Sequence, residues 1–184
     1  MDLSKLREPF RLSELEWKVF KSGIADNNMP WARVFAFVSS RAIMDRLDEV
    51  CGPENWQTHF HSDPELNGTI CNLSIKIDDH WIKKEDGSNF TKLEPFKGGL
   101  TGAFKRVAAQ WGIGRYLYDC GELWADFSEV YHYTNGAKYI SISGHDFYYL
   151  PPNNMPMKYL HPDDQKKRRD FRKGKKDATT TETK

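Results

Sequence analysis

Apolar and polar positions along this chain follow two rhythms, and the rhythms divide it into elements. Leu12, Leu15, Val19 and Phe20 recur at helical spacing, with Ser13 and Glu16 at capping-box separation, which predicts a helix over 12–24. Gly23 and the polar run Asp26-Asn27-Asn28 close it. Residues 31–38 are aromatic and β-branched and read as extended. A second helix is expected from Ser39 or Ser40, with Ile43, Met44, Leu47 and Val50 as its buried stripe and Gly52-Pro53 as its stop.

From about residue 55 to 96 the rhythm becomes alternation. Residues 56–61 alternate, and residues 69–77 place Ile70, Leu73, Ile75 and Ile77 in a half-buried strand with one irregularity. Asp78-Asp79 suits a tight turn, residues 80–84 return as a third strand, and Glu85 to Asn89 reads as another turn. The pattern predicts a β-meander, followed by a helix over roughly 99–111. Later, Thr134-Asn135-Gly136 signals a hairpin turn leading into a strand over 138–143. The expected class is α+β, with a body over 1–150, a Pro-rich linker over 151–160 and a basic flexible tail over 161–184. No internal repeat is visible.

Composition narrows the classes. The 184 residues are 39% hydrophobic and 14% aromatic, enough for a core. No apolar run approaches a membrane span, and the first residues lack the pattern of a signal peptide. Cys51, Cys71 and Cys120 have no CxxC spacing, which fits indifferent thiols in a reducing, cytoplasmic setting. The net charge of +1 hides an asymmetry: residues 161–184 hold nine Lys/Arg and five Asp/Glu, whereas the rest holds 18 basic and 21 acidic residues. Polyanion binding by the body must therefore come from local clustering. The tail's cations, eight of them between Lys166 and Lys176, read as solvated, with electrostatic capture of a polyanion as a secondary role.

The segment Lys97 to Arg115, a glycine-rich entry into a short helix followed by a glycine stop at Gly112 and Gly114, offers such a cluster. On a helical wheel, Leu100, Phe104, Val107 and Trp111 form one stripe, and Gly102, Lys105, Arg106 and Ala109 lie opposite. Small residues between two cations would let a phosphodiester backbone approach, and Arg115 supplies a third cation. The alternative is that Gly102 and Ala109 pack against another helix and the cations are merely solvated. There is no GxxxxGK[ST] and no strand-linked GxGxxG, so nucleotide binding has little support. Lys83 and Lys84 make either an outer DNA-contacting surface or a solvated strand end. Trp56 and Trp111 read as structural, and Arg41 is spaced to pair with Asp45.

His59, His61 and Asp63 alternate and could share a strand face, and Asp78-Asp79 and Glu85-Asp86 supply carboxylates. A metal-dependent nuclease is the rival these residues raise. No second ligand cluster supports it, both acidic pairs fall in expected turns, and no Ser-His-Asp or Cys-His arrangement is recognisable. The expectation is no enzyme, no metal and no cofactor. A second rival is a protein-interaction module in which the Lys-Arg helix serves assembly.

Two blocks resemble a known family. The run from Gly102 to Tyr118, with Ala-Phe-Lys-Arg and Trp-Gly-Ile-Gly-Arg-Tyr-Leu-Tyr, is similar to the helix motif of Rad52-type single-strand annealing proteins, closest to the phage Sak and bacterial DdrA branch. The run from Phe37 to Trp56 is a second match, and together they cover roughly residues 30–125. The resemblance implies a β-β-β-α annealing core in an oligomeric ring or filament. It implies ATP-independent binding of single-stranded DNA and annealing of complementary strands in recombination and repair. Lys105 and Arg106 map to the family's inner groove, and Arg33 maps loosely to an arginine before the first helix. Ala109 stands where the eukaryotic branch has a further arginine, so that contact is absent or moved. A single-strand-binding protein is a partner by analogy with the family, and the likeness leans toward a phage chain acting in a bacterial host cytoplasm.

Overall fold

The computed structural model describes residues 1–63, 65, 67–91, 94–128, 137–150 and 152–181. The chain forms two compact units, Met1–Pro9 with Val38–Tyr118, and Phe10–Phe37 with Asp119–Lys184.

The first unit holds the meander. Helix α1 (Ser40–Cys51) starts where expected, with Ser39 Oγ accepting the Ala42 N–H at 3.1 Å, and it ends at Gly52, whose φ of +84° suits glycine. Its buried face carries Ile43, Leu47 and Cys51, but also Arg46 rather than Val50. The Arg46 guanidinium donates to the carbonyls of Lys5 and Glu8 at 3.1 and 2.9 Å and so ties the N-terminal turn to α1. Strands β3 (Trp56–Asp63), β4 (Gly68–Ile77) and β5 (His80–Asn89) form an antiparallel sheet in that order. Asp78 and Asp79, at φ +47° and +63°, make the two-residue turn between β4 and β5. Cys71, Leu73 and Ile75 point inward from β4 and are fully buried.

The turn expected at Glu85 to Asn89 is not there. β5 continues through it, pairing Asp86 with Cys71 and Gly87 with Ile70. A glycine and polar residues at a sheet edge cost little, and ten residues of β4 provide the ladder. Helix α2 (Pro95–Gln110) then packs on the sheet, completing a β-β-β-α order, and α3 (Tyr116–Cys120) follows. The class is α+β with antiparallel sheets, as expected.

The second unit corrects another expectation. The helix predicted over 12–24 is a single 3₁₀ turn, Leu12–Glu14, followed by strand β1 (Leu15–Ile24). Leu15 and Trp17 are buried while Glu16 and Lys18 are exposed, so a period of two prevails over the helical spacing of Leu12, Leu15 and Val19. β1 joins β2 (Pro30–Val38) and β6 (Glu122–Trp124) in one sheet, and β7 (Asp126–Ser128), β9 (His145–Leu150) and β8 (Lys138–Ile142) form another. The expected turn at Thr134 to Gly136 lies outside the described residues. Met155 and Leu160, in the stretch read as a linker, are buried. Much of the segment read as a flexible tail is helix α4 (Pro162–Thr181). Pro162 and the acidic Asp163 and Asp164 suit a helix start, and Asp164 accepts the Leu12 N–H at 2.8 Å while Asp163 pairs with Arg11 at 3.0 Å.

Candidate nucleic-acid interface

Helix α2 runs along strand β5, and every fourth residue from Gly98 meets the strand or the residues just past its end. A Cβ on Gly98 would lie 2.1 Å from Thr91 Oγ1, and one on Gly102 would lie 2.4 Å from Ser88 Oγ. Arg106 Nε donates to Asp86 Oδ1 at 2.9 Å, and Gln110 Nε2 donates to the Glu85 carbonyl at 2.8 Å. Gly98, Gly102, Arg106 and Gln110 therefore form one edge, the i, i+4 row of a helix. Gly102 is not an open backbone for phosphates, as the wheel suggested. It faces Ser88 of β5, and the absence of a side chain leaves room for that contact. The inward stripe holds as expected for Phe104, Val107 and Trp111, with Gly99, Ala103 and Ala108 added and Leu100 only half-buried.

Asp86 organises the cationic end of this edge. Its carboxylate accepts from Arg106 Nε, from Gln110 Nε2 at 3.2 Å and from the Gly87 N–H at 2.8 Å. Burial alone would raise the Asp86 pKa, but the Arg106, Gln110 and Gly87 donors outweigh it and hold the carboxyl below its usual range. The same bond raises the Arg106 pKa and fixes the guanidinium, which stays 56% exposed. Asp86 takes the Nε of a side chain that stays largely exposed, so the terminal nitrogens are what a second anion would meet. Asp86, Arg106, Ala109, Gln110, Arg115 and Tyr118 line a cleft of about 330 Å³.

The glycine stop after the helix is a Schellman cap. Gly112, at φ +98°, sends its N–H to the Ala109 carbonyl at 3.0 Å, and the Ile113 N–H reaches Ala108 at 3.1 Å. Two cations finish the helix end: Lys84 Nζ and Arg115 Nη2 both donate to the Gln110 carbonyl, at 2.9 and 2.7 Å, and Arg115 Nε reaches Ala109 at 2.7 Å. Lys84 also sits 4.4 Å from the centroid of the Trp111 ring, and Trp111 Nε1 donates to the Leu73 carbonyl at 3.2 Å. Burial, then the charges of Arg115 and Arg7, lower the Lys84 pKa. The donors of Lys84 and Arg115 are thus turned onto backbone.

The other residues expected at a site lie as follows. Lys105 is half-buried on α2. Lys83 points to the face of β5 away from α2 and pairs with Glu85 at 3.3 Å. Arg33 belongs to the second unit, where it pairs with Glu122 of β6 and lies 5.9 Å from the Trp124 ring centroid. His59 and His61 share the exposed face of β3, with rings 6.3 Å apart. Among the described residues no three metal-ligating side chains come together. Asp86, Gln110 and Tyr118 were missed as site residues. Asp86 was assigned to a turn; read as strand, its alternation with Lys84 and Ser88 would have put it opposite Arg106.

The profile of a family described as "Rad52/22 family double-strand break repair protein" matches residues 66–135, which take in β4, β5, α2, α3, β6 and β7. A single-stranded DNA-binding protein DdrA of Deinococcus radiodurans is 32% identical over 131 residues, 68% of this chain and 59% of the relative. Its namesake from Deinococcus deserti is 29% identical over 131 residues, 68% of this chain and 61% of the relative. The chain therefore spans about three fifths of the length of these curated relatives. No solved structure matches the chain.

Proposed function

We propose that the chain, whose residues 66–135 match the Rad52/22 family of double-strand break repair proteins, belongs to that family, binds single-stranded DNA by its phosphates and anneals complementary strands without ATP. The observation that carries this reading is Arg106, fixed at its Nε by Asp86 in a cleft on the family-matched helix, with its side chain still largely exposed. The similarity to proteins named for single-stranded DNA binding supports the same ligand.

A guanidinium grips a phosphate bidentately and carries no sequence preference. Contacts confined to the backbone leave the base edges free, which annealing requires. Lys105 adds to this groove, and Arg115 and Lys84 support it from the helix end. Arg33 and Lys83 are secondary contacts. One protomer offers few phosphate contacts, so useful affinity calls for several copies, in a ring or filament, acting along one strand. The protein acts as a binder rather than an enzyme, in the cytoplasm of a bacterial cell, alongside a single-strand-binding protein.

The test combines oligonucleotide binding at several salt concentrations with an annealing assay lacking ATP and metal. Lys105→Ala with Arg106→Ala should weaken binding while the protein's mass in solution is unchanged. The log–log salt slope should fall by about 0.7 for each phosphate that the variant no longer neutralises. Unchanged binding in the double variant would remove the site assignment. Metal-dependent cleavage of DNA would favour the nuclease instead.

A further inference from the structure

The cleft beside Arg106 has a wall that phosphate binding does not use. Tyr118, on the one-and-a-half-turn helix α3, is 67% exposed although its neighbour Leu117 is buried. Its position is fixed through the backbone: its N–H donates to the Arg115 carbonyl at 3.1 Å, and the Leu117 N–H donates to Gly114 at 3.1 Å. Gly114 is at φ +66°, where a side chain would be strained. The exposed ring lines the same cleft as Arg106, Asp86, Ala109 and Gln110. Ala109 contributes only a methyl group to that lining. The cleft's roughly 330 Å³ far exceeds the 10–15 Å³ that a water needs.

We infer that Tyr118 is a base-stacking residue, and that the cleft takes one nucleotide of a single strand with its phosphate on Arg106 and the face of its base on the Tyr118 ring. The inference rests on the single-stranded DNA reading and adds a way of telling strands from duplex. Every base has a π-face, so stacking on Tyr118 is indifferent to sequence. In a duplex that face is already covered by its neighbours. Stacking uses the face and leaves the pairing edge open, so it is compatible with annealing. An exposed tyrosine loses little side-chain freedom on contact, because only two torsions are fixed.

The experiment compares the full chain and its variants on two probes of equal length and charge, a thymidine oligonucleotide and a fully abasic one. The wild-type protein should prefer the thymidine strand. Tyr118→Ala should weaken that strand on the order of tenfold, leave the abasic strand unchanged and keep the salt slope. Tyr118→Phe and Tyr118→Trp should retain the preference. By contrast, Arg106→Ala should weaken both probes and lower the slope. Equal losses on both probes in Tyr118→Ala, or no loss on thymidine, would overturn the stacking role. Failure of the wild-type protein to bind either probe at low salt would overturn the DNA-binding reading beneath it.

Discussion

Gly102→Ala separates two opposite readings of helix α2. If Gly102 faced solvent, alanine would stabilise the protein by about 1 kcal/mol, the difference in helix propensity. In the structure the added Cβ would sit 2.4 Å from Ser88 Oγ and 2.9 Å from Ser88 Cβ. The hydroxyl can rotate away, but the Cβ can move only with the strand. Forcing one methyl into such a contact costs about 1–3 kcal/mol. Setting a cost of about 2 kcal/mol against a gain of about 1 kcal/mol leaves a net loss of about 1 kcal/mol. Among the described residues, and apart from the chain neighbours and the helix's own backbone, Ser88 supplies the only atoms within 4 Å of that Cβ. In a Ser88→Gly background the same substitution should therefore stabilise by about 1 kcal/mol, giving a coupling of about 2 kcal/mol between the positions. Urea titrations of the four proteins followed by circular dichroism measure these differences. A thermal scan should move by about 2–4 °C per kcal/mol for a chain of this size. Stabilisation by Gly102→Ala in the wild-type background, or additivity of the two changes, would refute the packing of α2 on β5 through its glycines.

Two further outcomes follow from the ionisable groups. Asp86 has its folded pKa below the usual 3.8, so its contribution is present above about pH 4 and lost as pH falls through the folded value. The stability gap between wild type and Asp86→Asn, up to about 1 kcal/mol given the exposure of Arg106, should close on acidification from neutral pH, and a gap independent of pH would contradict the ion pair. Burial pushes the Cys71 thiol up to about 12, so in the Cys51→Ser, Cys120→Ser variant a thiol reagent should label it only after unfolding. Labelling of the native protein would contradict the packing of β4 under α2.

How far the site was legible depends on the range of the interactions that define it. The Lys105-Arg106 pair and the apolar stripe of Phe104, Val107 and Trp111 sit at helical spacing, and spacing is visible in a sequence. The glycine stop was equally visible, since Gly112 and Gly114 occupy backbone conformations that favour glycine. What faces Arg106 was not, because Asp86 is twenty residues away and its neighbours Gly87, Ser88 and Asn89 imitate a turn. Only the ladder to β4 keeps that stretch extended. The same holds at Leu12 to Ile24, where helical and strand periods coexist over a few residues and the pairing with β2 decides between them.

By itself, then, the sequence determined the order of the central elements, the caps of α1, the glycine stop of α2 though not its start at Pro95, the cationic pair and the family likeness. All of these rest on residues within a turn or two of one another, where backbone preference and periodicity act. The tertiary structure decided the direction in which each cation points: Arg106 toward a cleft under the control of Asp86, Lys84 and Arg115 onto the carbonyls that end α2. It also turned the glycines of α2 from an open approach for phosphate into the packing surface against β5. Such choices are made by close contacts and charges from distant parts of the chain, and no local pattern encodes them.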